Sequence, residues 1–328
     1  MDRAIIVDRL VKNFDVIEKE SGIKGALKSL YSPKKKTVQA LKGISFTIQS
    51  GELVGFIGPN GAGKTTTLKT LSGLLYPTKG FVEVLNHNPW ERKPEYLKQI
   101  SLVMGQKNQL WWDLPAIETF ELNRAIYEIP SKNYHQTLDE LVEILEIKKL
   151  ISIPVRKLSL GQRMRMELTA ALLHNPKVLF LDEPTIGLDI VGQQKMRDFI
   201  YRYNKEHGAT IILTSHNMDD VTNLARRVIV IDNGAILFDG FLEELASKFA
   251  TEKIIKVTLG NNKNLGDLDK IGTVRKLNFP EVVISVPRAA VAVAASELLQ
   301  NYPVDDLTIE EIPIEEVIRK VFRGELSK

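Results

Sequence analysis

The segment Gly58-Pro-Asn-Gly-Ala-Gly-Lys64-Thr65 sets glycine, lysine and a hydroxyl at the spacing G-x-x-x-x-G-K-[ST], which suits the binding of a polyphosphate. The glycines open backbone conformations closed to other residues and let N–H groups approach phosphate oxygens. Lys64 adds a point charge for the β- and γ-phosphates, and the Thr65 hydroxyl is placed to ligate Mg2+. Gly58, Asn60, Gly61, Gly63, Lys64, Thr65 and Thr66 are therefore the candidate residues for a nucleotide with Mg2+, and this loop alone leaves kinases, GTPases and many ATPases open. A glycine-rich turn carrying a stray lysine is the competing reading.

A second chemical group follows later in the chain. Leu179-Phe-Leu-Asp182-Glu183-Pro184 puts two carboxylates at the end of an apolar run of strand length, the end of a parallel sheet at which ligands gather. Asp182 is expected to hold Mg2+, directly or through water, and Glu183 to orient and deprotonate an attacking water. An Asp-Glu pair after a strand is otherwise an ordinary loop start.

These groups need elements to carry them. Leu53-Val-Gly-Phe-Ile57 reads as a buried strand before the glycine loop, and Thr65 to Leu75 as a helix with Leu68, Leu71, Leu74 and Leu75 on one face. Its N-terminus then points at the phosphates. Further strands are expected at Ala4–Val7, Gly43–Ile48, Phe81–Leu85, Leu102–Met104, Lys177–Leu181 and Thr210–Leu213. Asn233-Gly234 between Val228–Ile231 and Ala235–Phe238 is a hairpin signal. Helical patterns cover Ala116 to Leu150, Leu158 to His174, and Val191 to His207 with Gly208 as its C-terminal cap. The alternation indicates an α/β core with a parallel sheet, an antiparallel β part and a helical part. A linker near Ser247 to Glu252 leads to a small α+β tail, giving domains of residues 1–246 and 247–328.

Composition narrows the classes. The 328 residues carry a formal net charge of +3, too little to argue for nucleic acid as a partner, and 44% hydrophobic residues, ordinary for a globular protein. No cysteine is present, which excludes disulfides, thiolate metal sites and cysteine nucleophiles and fits a reducing cytosol. No apolar run reaches the ~18 residues of a membrane span, and the opening MDRAIIVDRLVKNF lacks a signal-peptide core. Asp15 to Lys36 reads as an insertion in which Ile23, Leu27, Leu30 and Tyr31 share one helical face beside lysines. It suits either the inner membrane surface or a solvated helix capping the domain.

Leu158-Ser-Leu-Gly-Gln162-Arg163 resembles the LSGGQ signature of ABC ATPases, with Leu160 in place of the middle glycine. Taken with Lys64, Asp182-Glu183, Gly187-Leu188-Asp189 and Thr214-Ser-His216, the family's motifs stand in family order across residues 4–240. The resemblance implies a P-loop ABC ATPase fold and a homodimer that sandwiches two ATP molecules head to tail. It implies that Ser159, Gly161 and Gln162 of one subunit meet the ATP held by the other, and that Asp189 lies at the subunit interface. It implies that Gln106 ligates Mg2+, that His216 assists Glu183 in catalysis, and that Phe14 stacks on adenine. A core phenylalanine is the competing reading of Phe14, and His216 taken alone is more often a polar residue ending a strand than a catalytic one.

The stretch from Met104 to Pro115, the Leu-Ser-Leu-Gly-Gln form and the tail Ile312-Pro-Ile-Glu-Glu-Val-Ile318 resemble the ABC-2 exporter branch, in its multidrug or viologen-exporter-like group. That resemblance implies a peripheral ATPase on the cytoplasmic face of the membrane, working with separate ABC-2 type permease subunits. Trp111 and Trp112 then fall where a permease makes contact, core packing being the alternative for at least one. The insertion is also similar to those in ATPases of polysaccharide exporters, so glycan export is the second substrate reading. A soluble ABC ATPase acting on ribosomes or nucleic acid is less favoured, because one cassette without sustained heptads is present.

Overall fold

In this computed structural model the described residues are 2–17, 35–105, 107–215, 217–249, 251–260 and 268–322. The expected helical face of the insertion, with Ile23, Leu27, Leu30 and Tyr31, lies outside them, as do Gln106 and His216. Contacts divide the chain into two units, residues 1–240 and 241–328.

In the first unit the strands are β1 (Arg3–Ile17), β2 (Lys35–Gln49), β3 (Leu53–Ile57), β4 (Lys79–Val84), β5 (Ile100–Met104), β6 (Val178–Asp182), β7 (Thr210–Ser215), β8 (Arg227–Asp232) and β9 (Ala235–Phe241), the last ending just beyond the division. Six form a sheet in the order β5-β6-β7-β3-β8-β9, and β5, β6, β7, β3 and β8 run parallel. Every residue of β3 and β7 is buried, as continuous apolar strands covered on both faces require. β8 turns into β9 through Asn233 and Gly234, both at positive φ, the backbone that a two-residue hairpin needs.

The other three strands make an antiparallel sheet, β2-β1-β4. Its apolar side, including Ile5, Leu10, Leu41 and Phe46, shares one core with Phe56, Leu68, Leu71 and Ile229 of the parallel layer. β1 and β2 are each longer than the sequence suggests: Ile17 pairs with Lys35 and Val16 with Lys36, so residues 15–17 and 35–36 are strand rather than insertion. The helix after the glycine loop is also shorter than expected. It spans Lys64–Leu71 and stops before Gly73, which sits at φ 75 against the Pro89 carbonyl; Leu74 is left exposed. The helical part contains Ala116–Ile126 and Ser131–Ile144, separated at Pro130, and leads to the helix Leu160–Leu172.

The second unit holds β10 (Glu252–Leu259), β11 (Thr273–Asn278), β12 (Glu281–Pro287) and β13 (Val304–Glu311) in the antiparallel order β11-β12-β10-β13. Helices at Leu268–Ile271 and Val291–Asn301 interrupt the strands in the split β-α-β pattern. Ile255, Val257, Val282 and Ile284 meet Leu298 in its main core, while Ile254 turns to Ile312 and Val317. Residues read as linker include the end of a helix, Leu242–Phe249. No helix of the described residues is long and apolar enough to cross a membrane.

Candidate functional site

The glycine loop leaves the end of β3 and enters the Lys64–Leu71 helix with no side chain capping the helix start. Its first N–H groups are thus available to a ligand. Two glycines are fixed by crowding: a methyl on Gly58 would lie 2.2 Å from the Ile231 carbonyl oxygen, and Gly63 stands at φ 113 with Leu41 directly beneath. Lys64 is 6% exposed and folds back so that Nζ donates to the carbonyls of Gly58 at 2.6 Å and Pro59 at 3.1 Å. Burial pushes its pKa down, while the carboxylates of Glu183 and Asp182 act in the opposite direction.

Parallel pairing brings the acidic end of β6 to this loop, because Asp182 is in register with Thr214 of β7 and Met104 of β5. Thr65 Oγ1 donates to Asp182 Oδ2 at 2.7 Å, and Thr214 Oγ1 donates to Asp182 Oδ1 at 2.6 Å. The next residue, Glu183, is 9% exposed and has φ 55, a conformation that costs a non-glycine residue about 1 kcal/mol or more and recurs at functional sites. Its N–H is held by the Thr214 carbonyl at 3.0 Å. A hydroxyl and a carboxylate at hydrogen-bond distance form the all-oxygen donor set that suits Mg2+.

A cleft of about 380 Å³ joins these groups. Of the expected residues it gathers Asn60, Gly61, Gly63, Lys64, Thr65, Thr66, Asp182 and Glu183. It also takes in Lys69 and Lys107, which sequence reasoning missed; the signal was their place one turn after the loop and one residue after Gln106. Phe14 is not in the lining. It sits half-buried on β1 opposite Val38, with Lys12 Nζ 5.0 Å from its ring centre.

A network missed by sequence reasoning braces the loops beyond β6 and β7. Asp220, fully buried, receives Arg197 at 3.0 Å, Ser215 Oγ at 2.7 Å and the Thr185 hydroxyl. Ser215 Oγ in turn accepts from the Asn217 backbone N–H at 2.9 Å. Both residues flanking His216 are thereby fixed.

Ser159 is the N-cap of the Leu160–Leu172 helix, and Gln162 closes a capping box with it: each side chain accepts from the other residue's backbone N–H. Asp189 caps the following long helix, Ile190–His207, by accepting from the Gly192 N–H at 2.6 Å. Ser159, Gly161, Gln162 and Asp189 line a second cleft, of about 520 Å³, which shares no lining residue with the first. Ile190 and Val191 beside it are 83% and 65% exposed. Trp111 and Trp112 are half-exposed in the segment after β5, where the Trp112 carbonyl accepts from the Arg156 N–H at 3.0 Å.

Residues 41–186 match the family model described as ABC transporter, and residues 251–310 match the one described as EvrA-like ABC transporter, C-terminal domain. The ABC transporter ATP-binding protein NatA of Bacillus subtilis is 31% identical over 224 residues, which cover 68% of this chain and 91% of NatA. The bacitracin transport ATP-binding protein BcrA of Bacillus licheniformis is 37% identical over 194 residues, covering 59% of this chain and 62% of BcrA. Among solved structures, cbiO1 from Clostridium perfringens, part of the ABC transporter complex cbiONQ, is similar with a TM-score of 0.61 and 27% identity over 75% of this chain and 92% of that one.

Proposed function

The chain belongs to the ABC transporter ATP-binding proteins, and from that premise we propose that it hydrolyses ATP with Mg2+ to drive a separate membrane permease, in the direction of export. The observation that carries the catalytic part is the Thr65–Asp182 hydrogen bond at 2.7 Å, set between a buried Lys64 and a buried Glu183. Lys64 binds the β- and γ-phosphates, exchanging loop carbonyls for anionic oxygens that suit an ammonium better. Thr65, Asp182 and Gln106 hold Mg2+, which supplies charge neutralisation at the phosphates. Glu183 orients and deprotonates the attacking water, assisted by His216. Phe14, which lies outside the cleft lining, is assigned to the adenine on the family resemblance alone.

The two clefts within one chain support a head-to-tail dimer, because the residues around Ser159 do not line the cleft around Lys64. Ser159, Gly161 and Gln162 of one subunit then complete the site of its partner copy, and Asp189 lies between the two. Half-exposed Trp111 and Trp112 suit an apolar contact with an ABC-2 type permease at the cytoplasmic face of the membrane. Export rests on the sequence features that resemble the ABC-2 branch; the bacitracin transport relative supports transport without giving its direction.

The test is capture of the Glu183→Gln protein, with ATP and Mg2+, from detergent-solubilised native membranes. Co-purification of a polytopic permease supports the transporter reading. Ribosomes or nucleic acid in place of a membrane protein would remove it.

A further inference from the structure

The loop after β5 is held at both ends. At the near end, the Gly105 N–H donates to the Asp182 carbonyl at 2.8 Å, and a methyl on Gly105 would stand 2.3 Å from the Glu183 carbonyl oxygen. At the far end, the Gln109 N–H donates to Glu167 Oε1 at 2.9 Å, and the Leu110 N–H also interacts with that carboxylate. Between the two attachments lies Lys107, which lines the nucleotide cleft. Glu167 is only 2% exposed. A buried acid in a helix interior serves packing poorly; the Gln109 N–H on Oε1 offsets part of its burial cost, while Oε2 has no hydrogen-bond partner among the described residues.

The helix that bears Glu167 is the common neighbour of several parts. Arg165 donates to the Leu145 carbonyl at 2.9 Å, reaching the end of the Ser131–Ile144 helix. Asn123 donates to the Ala170 carbonyl at 3.0 Å, reaching the Ala116–Ile126 helix. Ser159 stands at its N-terminus. Among these ties, Glu167 is the one that reaches the loop carrying Lys107.

We infer that Glu167 is a positioning residue for ATP hydrolysis, fixing the far end of the loop that carries Lys107 so that the loop moves with the Leu160–Leu172 helix. This rests on the proposed ATPase reading. Glu167 touches no nucleotide group; it acts through the backbone of Gln109 and Leu110. Loss of the carboxylate removes the tie between that end of the loop and the Leu160–Leu172 helix, while the Gln109 side chain keeps its bond to the Leu102 carbonyl at 3.0 Å and the glycine loop, Thr65 and Asp182 stay in place. Turnover therefore suffers more than nucleotide binding.

The experiment compares full-length wild type with Glu167→Ala and Glu167→Gln, measuring Mg2+-dependent ATP hydrolysis, binding of a fluorescent ATP analogue and the thermal midpoint. Alanine is expected to lower kcat about tenfold with KM and analogue affinity within about twofold. Glutamine keeps an acceptor oxygen for Gln109 and is expected to recover most of the rate. Equal losses in both variants, or losses that follow the thermal midpoint or KM, overturn the inference, as does an alanine variant at the wild-type rate. A wild-type protein that neither binds nor hydrolyses ATP instead overturns the ATPase reading beneath it.

Discussion

Leu160 lies across the α-carbon of Gly187: a methyl group there would stand 2.1 Å from Leu160 Cδ2. The residue that departs from the ABC signature therefore packs on the loop that follows Glu183 in its own chain. The side chain fills space above a glycine at φ 69 and remains about one-third exposed beside Ile190 and Val191. The glycine and the leucine form one unit, and the departure is locally compensated.

That pairing predicts a coupled mutant pair. Gly187→Ala should lose about 1–3 kcal/mol, from the positive φ and from overpacking against Leu160. Adding Leu160→Gly should relieve the overpacking, giving a favourable interaction energy of about 1 kcal/mol in a urea-unfolding double-mutant cycle. Strict additivity would show that the two residues do not touch in solution.

Glu183→Gln keeps the side chain's shape while removing its basicity. ATP turnover is expected to fall about 100-fold or more, with ATP affinity held within about threefold. Steady-state hydrolysis alongside equilibrium nucleotide binding checks both halves. An unchanged rate would move the base elsewhere.

The buried Asp220–Arg197 pair makes a stability prediction. Replacing Asp220 by alanine strands a guanidinium that is 7% exposed and removes the partner of Ser215 and Thr185, at about 3–5 kcal/mol. Chemical denaturation should show that loss, and hydrolysis should weaken too, because Ser215 and Asn217 flank His216. A loss below about 1 kcal/mol would mean that water replaces the pair.

Trp111→Ala with Trp112→Ala should leave ATP binding and stability nearly unchanged, since both rings are half-exposed and surface changes usually stay within about 0.5 kcal/mol. Recovery of the permease in the membrane capture should fall at least about tenfold. Full recovery would assign these rings to another role.

What the sequence makes legible follows from how local each signal is. The apolar run Lys177–Leu181 and the Asn233-Gly234 turn are decided by neighbouring residues; the turn stands as expected and the strand falls one residue later, at Val178–Asp182. The helix after the glycine loop is shorter than its pattern because Leu74 and Leu75 continue the apolar period, while Gly73 at φ 75 ends it. The Leu242–Phe249 helix is missed by its pattern although Glu244 offers a signal: its carboxylate accepts from the Phe241 N–H at 3.2 Å. Within the site, motif spacing picks out Lys64, Asp182 and Glu183. The contacts of Asp220 with Arg197 and of Glu167 with Gln109 join residues 23 and 58 positions apart, and no local pattern encodes them.

Glu167 also carries a pH prediction. Burial is the largest cause raising its pKa, from the ordinary carboxylate value to about 6, against the lowering effect of the Gln109 and Leu110 N–H groups. The folded chain therefore holds this proton more tightly than the unfolded chain, and the site's contribution is fully present below pH ~4.5 and lost as pH rises through ~6. The loss amounts to about 2 kcal/mol, at roughly 1.4 kcal/mol for each pH unit that separates the folded and unfolded titrations. Glu167→Gln does not titrate, so subtracting its stability from that of wild type at each pH cancels the carboxylates common to both. The wild-type advantage should decline by about 2 kcal/mol between pH 4.5 and 7 and stay level above that range. A flat difference would mean that Glu167 is solvated in solution, and a difference of opposite slope would mean that the two N–H donors outweigh its burial.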